Sequence, residues 1–281
     1  MSTGIVMEGG AMRGMFTAGV LDVLMENGIG FDGAAGVSAG VVFGCNLKSK
    51  QIGRALRYNK RFCRDWRYCS IWSFIFTGNL FGTEMCYEKI PFYYDPFDLE
   101  TYRKNPMPLY AVMTDVDTGK PVYKELPEGS GIDMLYFRGS ASMPIVSKPV
   151  EVLGHRYLDG GMTDSIPLKF MQQKGYEKNV VILTQPSDYR KSPAGNMHII
   201  GAILRKYPAV VRAMARRHIM YNKELAYVRR CAADGNVFVI QPPASLNIDH
   251  TEHDPDELQR VYDTGRRTME QKLDELKEFM A

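Results

Sequence analysis

Histidine and cysteine are scarce in this 281-residue sequence, five of each, and so is excess charge: 35 basic against 32 acidic side chains leave a net charge of +3. Each shortage excludes something. A balance this close to neutral gives no argument for nucleic acid as a partner, so only the local distribution of charge carries weight. Cys45, Cys63, Cys69, Cys86 and Cys231 are odd in number and form no CxxC pair. A disulfide framework or structural zinc site is therefore not expected, and free thiols in a reducing compartment are. The N-terminus, MSTGIVMEGG, lacks the basic and apolar regions of a secretory signal. Apolar runs such as residues 71–76 are far too short to span a bilayer. A cytoplasmic protein, at most peripheral to the inner membrane face, is the expectation.

What is present reads as alternating strands and helices. Residues 4–7 are a short apolar run that breaks at Glu8-Gly9-Gly10, and residues 16–27 carry apolar positions at helical spacing, closed by Gly28. Residues 33–37 form a second strand and 39–47 a helix of small residues. Two strand-to-helix units in succession point to an α/β fold, a mostly parallel central sheet flanked by helices in three layers. Further strands are expected over 106–115, 121–125, 180–184 and 237–240, with a hairpin over 150–158. A helix over 133–142, a long helical region over 199–230 kinked near Pro208, and a final helix from Asp254-Pro255 complete the pattern. There is no repeat and no linker. One domain over 1–281 is expected, with a catalytic core over about 4–185 and a C-terminal helical and strand extension over about 196–281.

Three short motifs carry chemistry. Gly36-Val37-Ser38-Ala39-Gly40 is a G-x-S-x-G sequence between a predicted strand and helix. Glycines at Gly36 and Gly40 permit the sharp turn that exposes a serine hydroxyl, and the N–H of Ala39 is free to meet an oxyanion. Glu8-Gly9-Gly10-Ala11-Met12-Arg13-Gly14 lies at another strand-to-helix junction. Its backbone N–H groups suit a phosphate, or the oxyanion of a tetrahedral intermediate, or they simply make a tight turn. The spacing is neither G-x-G-x-x-G nor a P-loop, which weakens the nucleotide reading. Asp159-Gly160-Gly161 follows the hairpin and would place a carboxylate at a loop apex with little steric cover; alone, an ordinary turn explains it. Together the three supply a nucleophile, an anion stabiliser and a base, the set a serine hydrolase needs. For a histidine base only His155, His198, His218, His250 and His253 are available. Only His250 and His253 sit in a loop after the last strand, whereas His155 lies inside the hairpin. A Ser-Asp pair is the chemical alternative, since burial raises a carboxylate's pKa and makes it a better proton acceptor.

In order and spacing, EGGAMRG, GVSAG and DGG resemble the patatin-like phospholipase family, particularly its small bacterial members. Residues 111–122 and 139–161 resemble that family's core strands and its approach to the aspartate. The resemblance implies a lipid acyl hydrolase, a serine carboxylic ester hydrolase with a Ser38–Asp159 dyad and no metal or organic cofactor. It also implies an oxyanion hole from Gly9, Gly10, Ala11 and Ala39, and a loop anchored at Arg13 and Gly14. Ala11 departs from the family, which usually has a third glycine there. A methyl group is tolerable at that position if the local φ is negative, and it is expected to narrow the cleft.

Weaker features admit two readings each. The aromatic and basic stretch 54–94 either forms a lid or lipid-facing surface, or packs a helical layer over the sheet. Arg205, Lys206, Arg212, Arg216, Arg217, Arg229 and Arg230 either lean on anionic lipid or make a solvated face. Methionines fill core gaps or line an acyl pocket. The rival functions are a thioesterase or small-ester esterase with the same dyad, a catalytically silent lipid-binding protein, and a nucleotide-binding protein. A lipid or ester substrate with possible peripheral membrane contact is the expected partner, and the oligomeric state is left open.

Overall fold

A computed structural model describes residues 1–281. Its centre is a sheet whose interior strands are short apolar runs buried on both faces, as parallel strands covered by helices must be. They are β1 (Thr3–Met7), β2 (Gly33–Val37) and β3 (Leu109–Asp115). An antiparallel return strand, β4 (Pro121–Glu125), and a hairpin, β5 (Val150–Val152) and β6 (His155–Asp159), follow. The last two strands are β7 (Lys178–Ile182) and β8 (Val237–Ile240). The hydrogen-bonded path runs β5-β6-β3-β2-β1-β7-β8, with β4 also paired to β3. The strands join in parallel from β3 through β8, and β4 and β6 run antiparallel to β3.

Registry along β3 decides where the site lies. Val112 pairs with Val37 on one edge and Tyr123 on the other, while Met113 pairs with Val122 and Asp159. Because β4 holds one edge throughout, β6 must occupy the same edge as β2, taking over where β2 ends. The last residue of β2, Val37, and the last of β6, Asp159, are therefore opposite successive residues of β3. The hairpin that delivers β6 turns through Leu153 and Gly154, both at positive φ (51° and 78°), the geometry of a two-residue type I′ turn.

Helices cover both faces. On one lie α1 (Gly14–Glu26), α2 (Ala39–Ser49), α3 (Arg54–Phe62), α4 (Ile71–Thr77), α5 (Leu99–Lys104) and α6 (Ile132–Ala141). Between α4 and α5 a π-helical segment, Met85–Tyr94, carries Pro91 inside it. The other face is covered by α7 (Leu168–Gln173) and the long α9 (Pro208–Ala233), which follows α8 (Met197–Ile203). The chain closes with α10 (Pro255–Gln271) and α11 (Leu273–Met280), and α10 returns to pack on α1. The alternation of β1 expresses the two faces: Ile5 and Met7 join the larger core, Val6 the core beneath α9.

The expected fold class is the one observed, and most elements lie where the sequence puts them. The third strand starts at Leu109 rather than 106, since Pro106 and Pro108 have no N–H to give a ladder. The later strand runs 178–182 rather than 180–184, and Thr184 turns its backbone N–H to the Glu8 side chain instead. The kink near Pro208 is a full break between α8 and α9, and the final helix is interrupted at Lys272. All five cysteines are free. No helix is long and apolar enough to cross a membrane.

Part of the stretch 54–94 packs in the core and part is exposed. Tyr58, Phe62, Tyr68, Met85 and Ile90 are buried in the core, whereas Trp66, Trp72, Phe76, Phe92, Tyr93 and Tyr94 are exposed. Several of its arginines are engaged within the protein: Arg54 and Arg57 bond Asp95, Arg67 bonds Asp65, and Arg61 reaches the Tyr94 carbonyl.

Candidate active site

Ser38 follows β2 in a conformation few residues adopt, φ 54° and ψ −126°. Such a backbone costs about 1–3 kcal/mol and persists only when its surroundings over-determine it. Here they do. A Cβ on Gly36 would sit 2.6 Å from the Val41 backbone, and one on Gly40 would sit 2.4 Å from the Met7 carbonyl. Those two glycines let the turn close against β1. The Ser38 N–H donates to Ser140 Oγ at 3.0 Å, and that hydroxyl donates on to the Val112 carbonyl at 2.6 Å. The elbow is thus tied to β3 through α6. Ser140, fully buried, is a participant the motif reading missed, because nothing in its own neighbourhood marks it.

Asp159 is buried, not perched at an open apex. Its backbone is held from both sides: the N–H donates to the Ser142 carbonyl at 2.8 Å, and its carbonyl accepts from Thr114 Oγ1 at 2.8 Å. The glycines after it answer to close packing instead of turn freedom, for a Cβ on Gly160 would lie 2.3 Å from the Val112 carbonyl. Gly161 donates its N–H to Asp159 Oδ1 at 2.7 Å. Burial pushes the Asp159 carboxyl above the usual carboxylate range; the facing Ser38 hydroxyl, the Arg217 charge and the Gly161 N–H offset only part of that.

The glycine-rich loop closes the third side. A Cβ on Gly9 would meet the Val37 carbonyl at 2.9 Å and one on Gly10 would meet Thr184 Oγ1 at 2.8 Å, so both glycines serve close approach. Outside any regular element, their N–H groups donate to no acceptor in the protein. Ala39 begins α2, where the first N–H groups have no intrahelical partner. Gly14 brings α1 against α2, since a Cβ there would lie 2.9 Å from that of Ala39. Glu8, buried beneath the loop, accepts from Tyr221 Oη and from the Thr184 N–H, each at 2.6 Å; burial is the main cause that raises its pKa.

Ala11 and Arg13 each take a particular geometry in this loop. Ala11 lies at φ 48°, in the left-handed region, so the condition of a negative φ is not met. The Arg13 guanidinium bonds nothing within the loop: its Nη1 lies 3.4 Å from His250 Nε2 and its buried Nε has no partner, while the backbone N–H donates to the Gly10 carbonyl at 3.0 Å. For Ala11→Gly we expect a stability change within about 1 kcal/mol. Relief of roughly 1–2 kcal/mol of left-handed strain is opposed by about 0.4–1 kcal/mol of added unfolded-state entropy. Thermal denaturation checks this, and a loss much larger than that would mean the Ala11 methyl is required by packing.

No histidine bonds Ser38 or Asp159. His155 is exposed beside Asp115 and His253 bonds the Cys63 carbonyl, while His250 borders the site at its rim. Instead α9 presents Arg217, Tyr221 and Glu224 at helical spacing toward both loops. Arg217 Nε donates to the Gly161 carbonyl at 2.6 Å, Tyr221 holds Glu8, and Glu224 accepts from the Ser165 N–H at 3.1 Å. Glu224 faces Asp164, and burial together with that neighbouring carboxyl raises its pKa. These contributors were not legible in sequence, because helical periodicity identifies a face and not what it meets.

Ser38 and Ala11 stand where two cavities join. One, about 110 Å³, is almost wholly apolar, lined by Phe43, Tyr58, Tyr87, Ile90, Phe137 and others. The second, about 380 Å³, is polar and contains Asp159, Arg13, Lys191, Arg217 and His250. No group of three or more His, Cys, Asp or Glu side chains is placed to hold a metal ion.

Comparison with known proteins bears on the family. The family profile described as patatin-like phospholipase matches residues 5–171, and a domain of unknown function, DUF6363, matches 207–281. YjjU of Escherichia coli K12 is 31% identical over 198 residues, 67% of this chain and 54% of YjjU. The lysophospholipase NTE1 of Mycosarcoma maydis is 27% identical over 185 residues, 62% of this chain and 9% of that protein. The chain thus spans about half of the first relative and about a tenth of the second. Among solved structures, VipD of Legionella pneumophila aligns over 96% of this chain and 67% of its own at 12% identity, with a TM-score of 0.44. The profile spans the glycine-rich loop, the serine elbow and the aspartate loop, and the chain belongs to the patatin-like phospholipase family.

Proposed function

We propose that the protein is a serine carboxylic ester hydrolase acting on lipid acyl groups, with Ser38 as nucleophile and Asp159 as general base. The observation that carries this reading is Ser38 itself, strained into a turn at the mouth of an apolar cavity and facing a buried carboxyl. In the reaction, Ser38 Oγ attacks the ester carbonyl carbon while Asp159 accepts its proton. The oxyanion is met by the N–H of Ala39 and by N–H groups of Gly9, Gly10 and Ala11. Collapse expels the alcohol, which takes the proton from Asp159 and leaves an acyl-serine. Water, deprotonated by Asp159, then attacks the acyl-serine; a fatty acid leaves and Ser38 regains its proton.

The apolar cavity suits an acyl chain, and the likeness to lysophospholipases supports a phospholipid or lysophospholipid substrate. The exposed face of α4, with Ile71, Trp72, Ile75 and Phe76, together with Trp66 nearby in sequence, supports contact with a lipid surface. Residues 1–281 act as one unit in this reading, since β8 extends the sheet and α9 supports both loops.

Intact-mass analysis after fluorophosphonate treatment tests the proposal. A single adduct is expected on the parent protein and none on Ser38→Ala, whose ester hydrolysis should fall by about 10⁴-fold or more. A folded parent protein that takes no adduct would favour a silent lipid binder.

A further inference from the structure

The polar cavity beside Ser38 holds an excess of positive charge that ester hydrolysis does not require. Arg13, Lys191 and Arg217 all line it, with His250 at the rim. Neither the two guanidinium groups nor the Lys191 amine forms a salt bridge. They outnumber the two carboxyls of the cavity, Glu8 and Asp159, even with both ionised. Lys191 and Arg217, two of the three basic side chains, lie beyond residue 171, outside the segment that matches the phospholipase family.

Their geometry leaves donors unused. Arg217 spends its Nε on the Gly161 carbonyl, leaving its Nη groups. The buried Nε of Arg13 has no acceptor. Lys191 lies with its Nζ 4.9 Å from the centre of the Tyr221 ring. Burial and the neighbouring Arg217 and Arg13 pull the Lys191 ammonium down to about 8, with Glu8 offsetting only part of that.

Resting on the hydrolase reading above, we propose that this cavity is a headgroup subsite for a lipid whose phosphate carries no compensating ammonium, an acylglycerol phosphate. With the ester carbonyl at Ser38, the acyl chain enters the apolar cavity and the phosphate meets Arg13, Lys191 and Arg217. Guanidinium and ammonium donors converging on one anion are the usual phosphate chemistry. A choline headgroup finds no place. Recognition of a quaternary ammonium uses open aromatic faces, and Tyr221, the aromatic side chain of this cavity, already has Lys191 over its ring.

Calorimetric titration of Ser38→Ala protein tests the subsite without relying on turnover. The probes are 1-oleoylglycerol 3-phosphate, 1-oleoylglycerol, 1-oleoylglycerophosphocholine and inorganic phosphate. The phosphate monoester lipid is expected to bind at least about tenfold more tightly than either other lipid. Adding Lys191→Glu should abolish that preference, and Lys191→Arg should keep it, with circular dichroism confirming the fold of each. Equal binding of the three lipids would overturn the subsite, as would an undiminished preference in folded Lys191→Glu protein. Inorganic phosphate binding as tightly as the lipid would overturn the headgroup assignment in favour of a free-phosphate site. Because the hydrolase reading is tested by the Ser38 adduct, its failure is separately visible.

Discussion

Asparagine in place of Asp159 should lower kcat for ester hydrolysis by about 10³–10⁴-fold, the loss expected when a general base is removed from an otherwise intact site. The same variant should melt at a higher temperature at neutral pH. Burial raises the folded-state pKa of Asp159 above its unfolded value, so ionising it opposes folding. Below the unfolded value the carboxyl is protonated in both states and there is no penalty. As pH rises through the folded value the penalty grows, and beyond it is complete. The asparagine, which can keep the bond from the Gly161 N–H, escapes that penalty, a gain on the order of 1 kcal/mol that should vanish in acid. By the same cause, kcat/KM of the parent enzyme should fall on the acid side at a pH above the ordinary aspartate range. Steady-state kinetics and melting curves over pH check both halves. Near-parental kcat in Asp159→Asn would remove the aspartate from the base role and return attention to His250.

Gly265→Ala should destabilise the protein although it places a better helix former in the middle of α10. Helix propensity alone predicts a gain of about 1 kcal/mol, so the sign of the result is decisive. A Cβ on Gly265 would lie 2.0 Å from the Phe16 carbonyl of α1, and one on Gly19 of α1 would lie 2.1 Å from the Tyr262 carbonyl of α10. Backbone meets backbone there, and no side chain is available to give way. Forcing the helices apart costs about 3 kcal/mol, for a net loss of roughly 2 kcal/mol and a drop in Tm of about 4–8 °C. Calorimetry should show one transition that moves as a whole. A second, separate transition would mean that the C-terminal residues melt on their own and would sink the reading of 1–281 as one unit. The effect should reach activity, since α1 follows the glycine-rich loop directly.

Much of the site is local and was legible for that reason. A serine elbow needs glycine two residues before and two after the nucleophile because the turn itself leaves no room for a Cβ, and that demand is written in five consecutive letters. The strands before Gly9 and Ser38 are short apolar runs because both faces of the sheet are covered, so the α/β alternation was readable too. The same locality explains the misreadings. Gly160 looked like a turn residue, yet what excludes a side chain there is Val112, on a strand far away in sequence. The positive φ of Ala11 was not legible either, because its neighbours in the chain do not reveal the turn they make around Ser38.

Sequence by itself determined the fold class, the family, and the identity of Ser38 and Asp159 as candidates. Tertiary structure alone decided that they meet. Strand β6 takes over the edge of β3 at the residue where β2 leaves it, and pairing between distant strands is set by register that no short window encodes. It also decided that α9 supports both loops, that a π-helical turn borders the apolar cavity, and that Arg13, Lys191 and Arg217 line one side of the serine. Charge counted along the chain came to almost nothing; only packing concentrated it where an anion would bind.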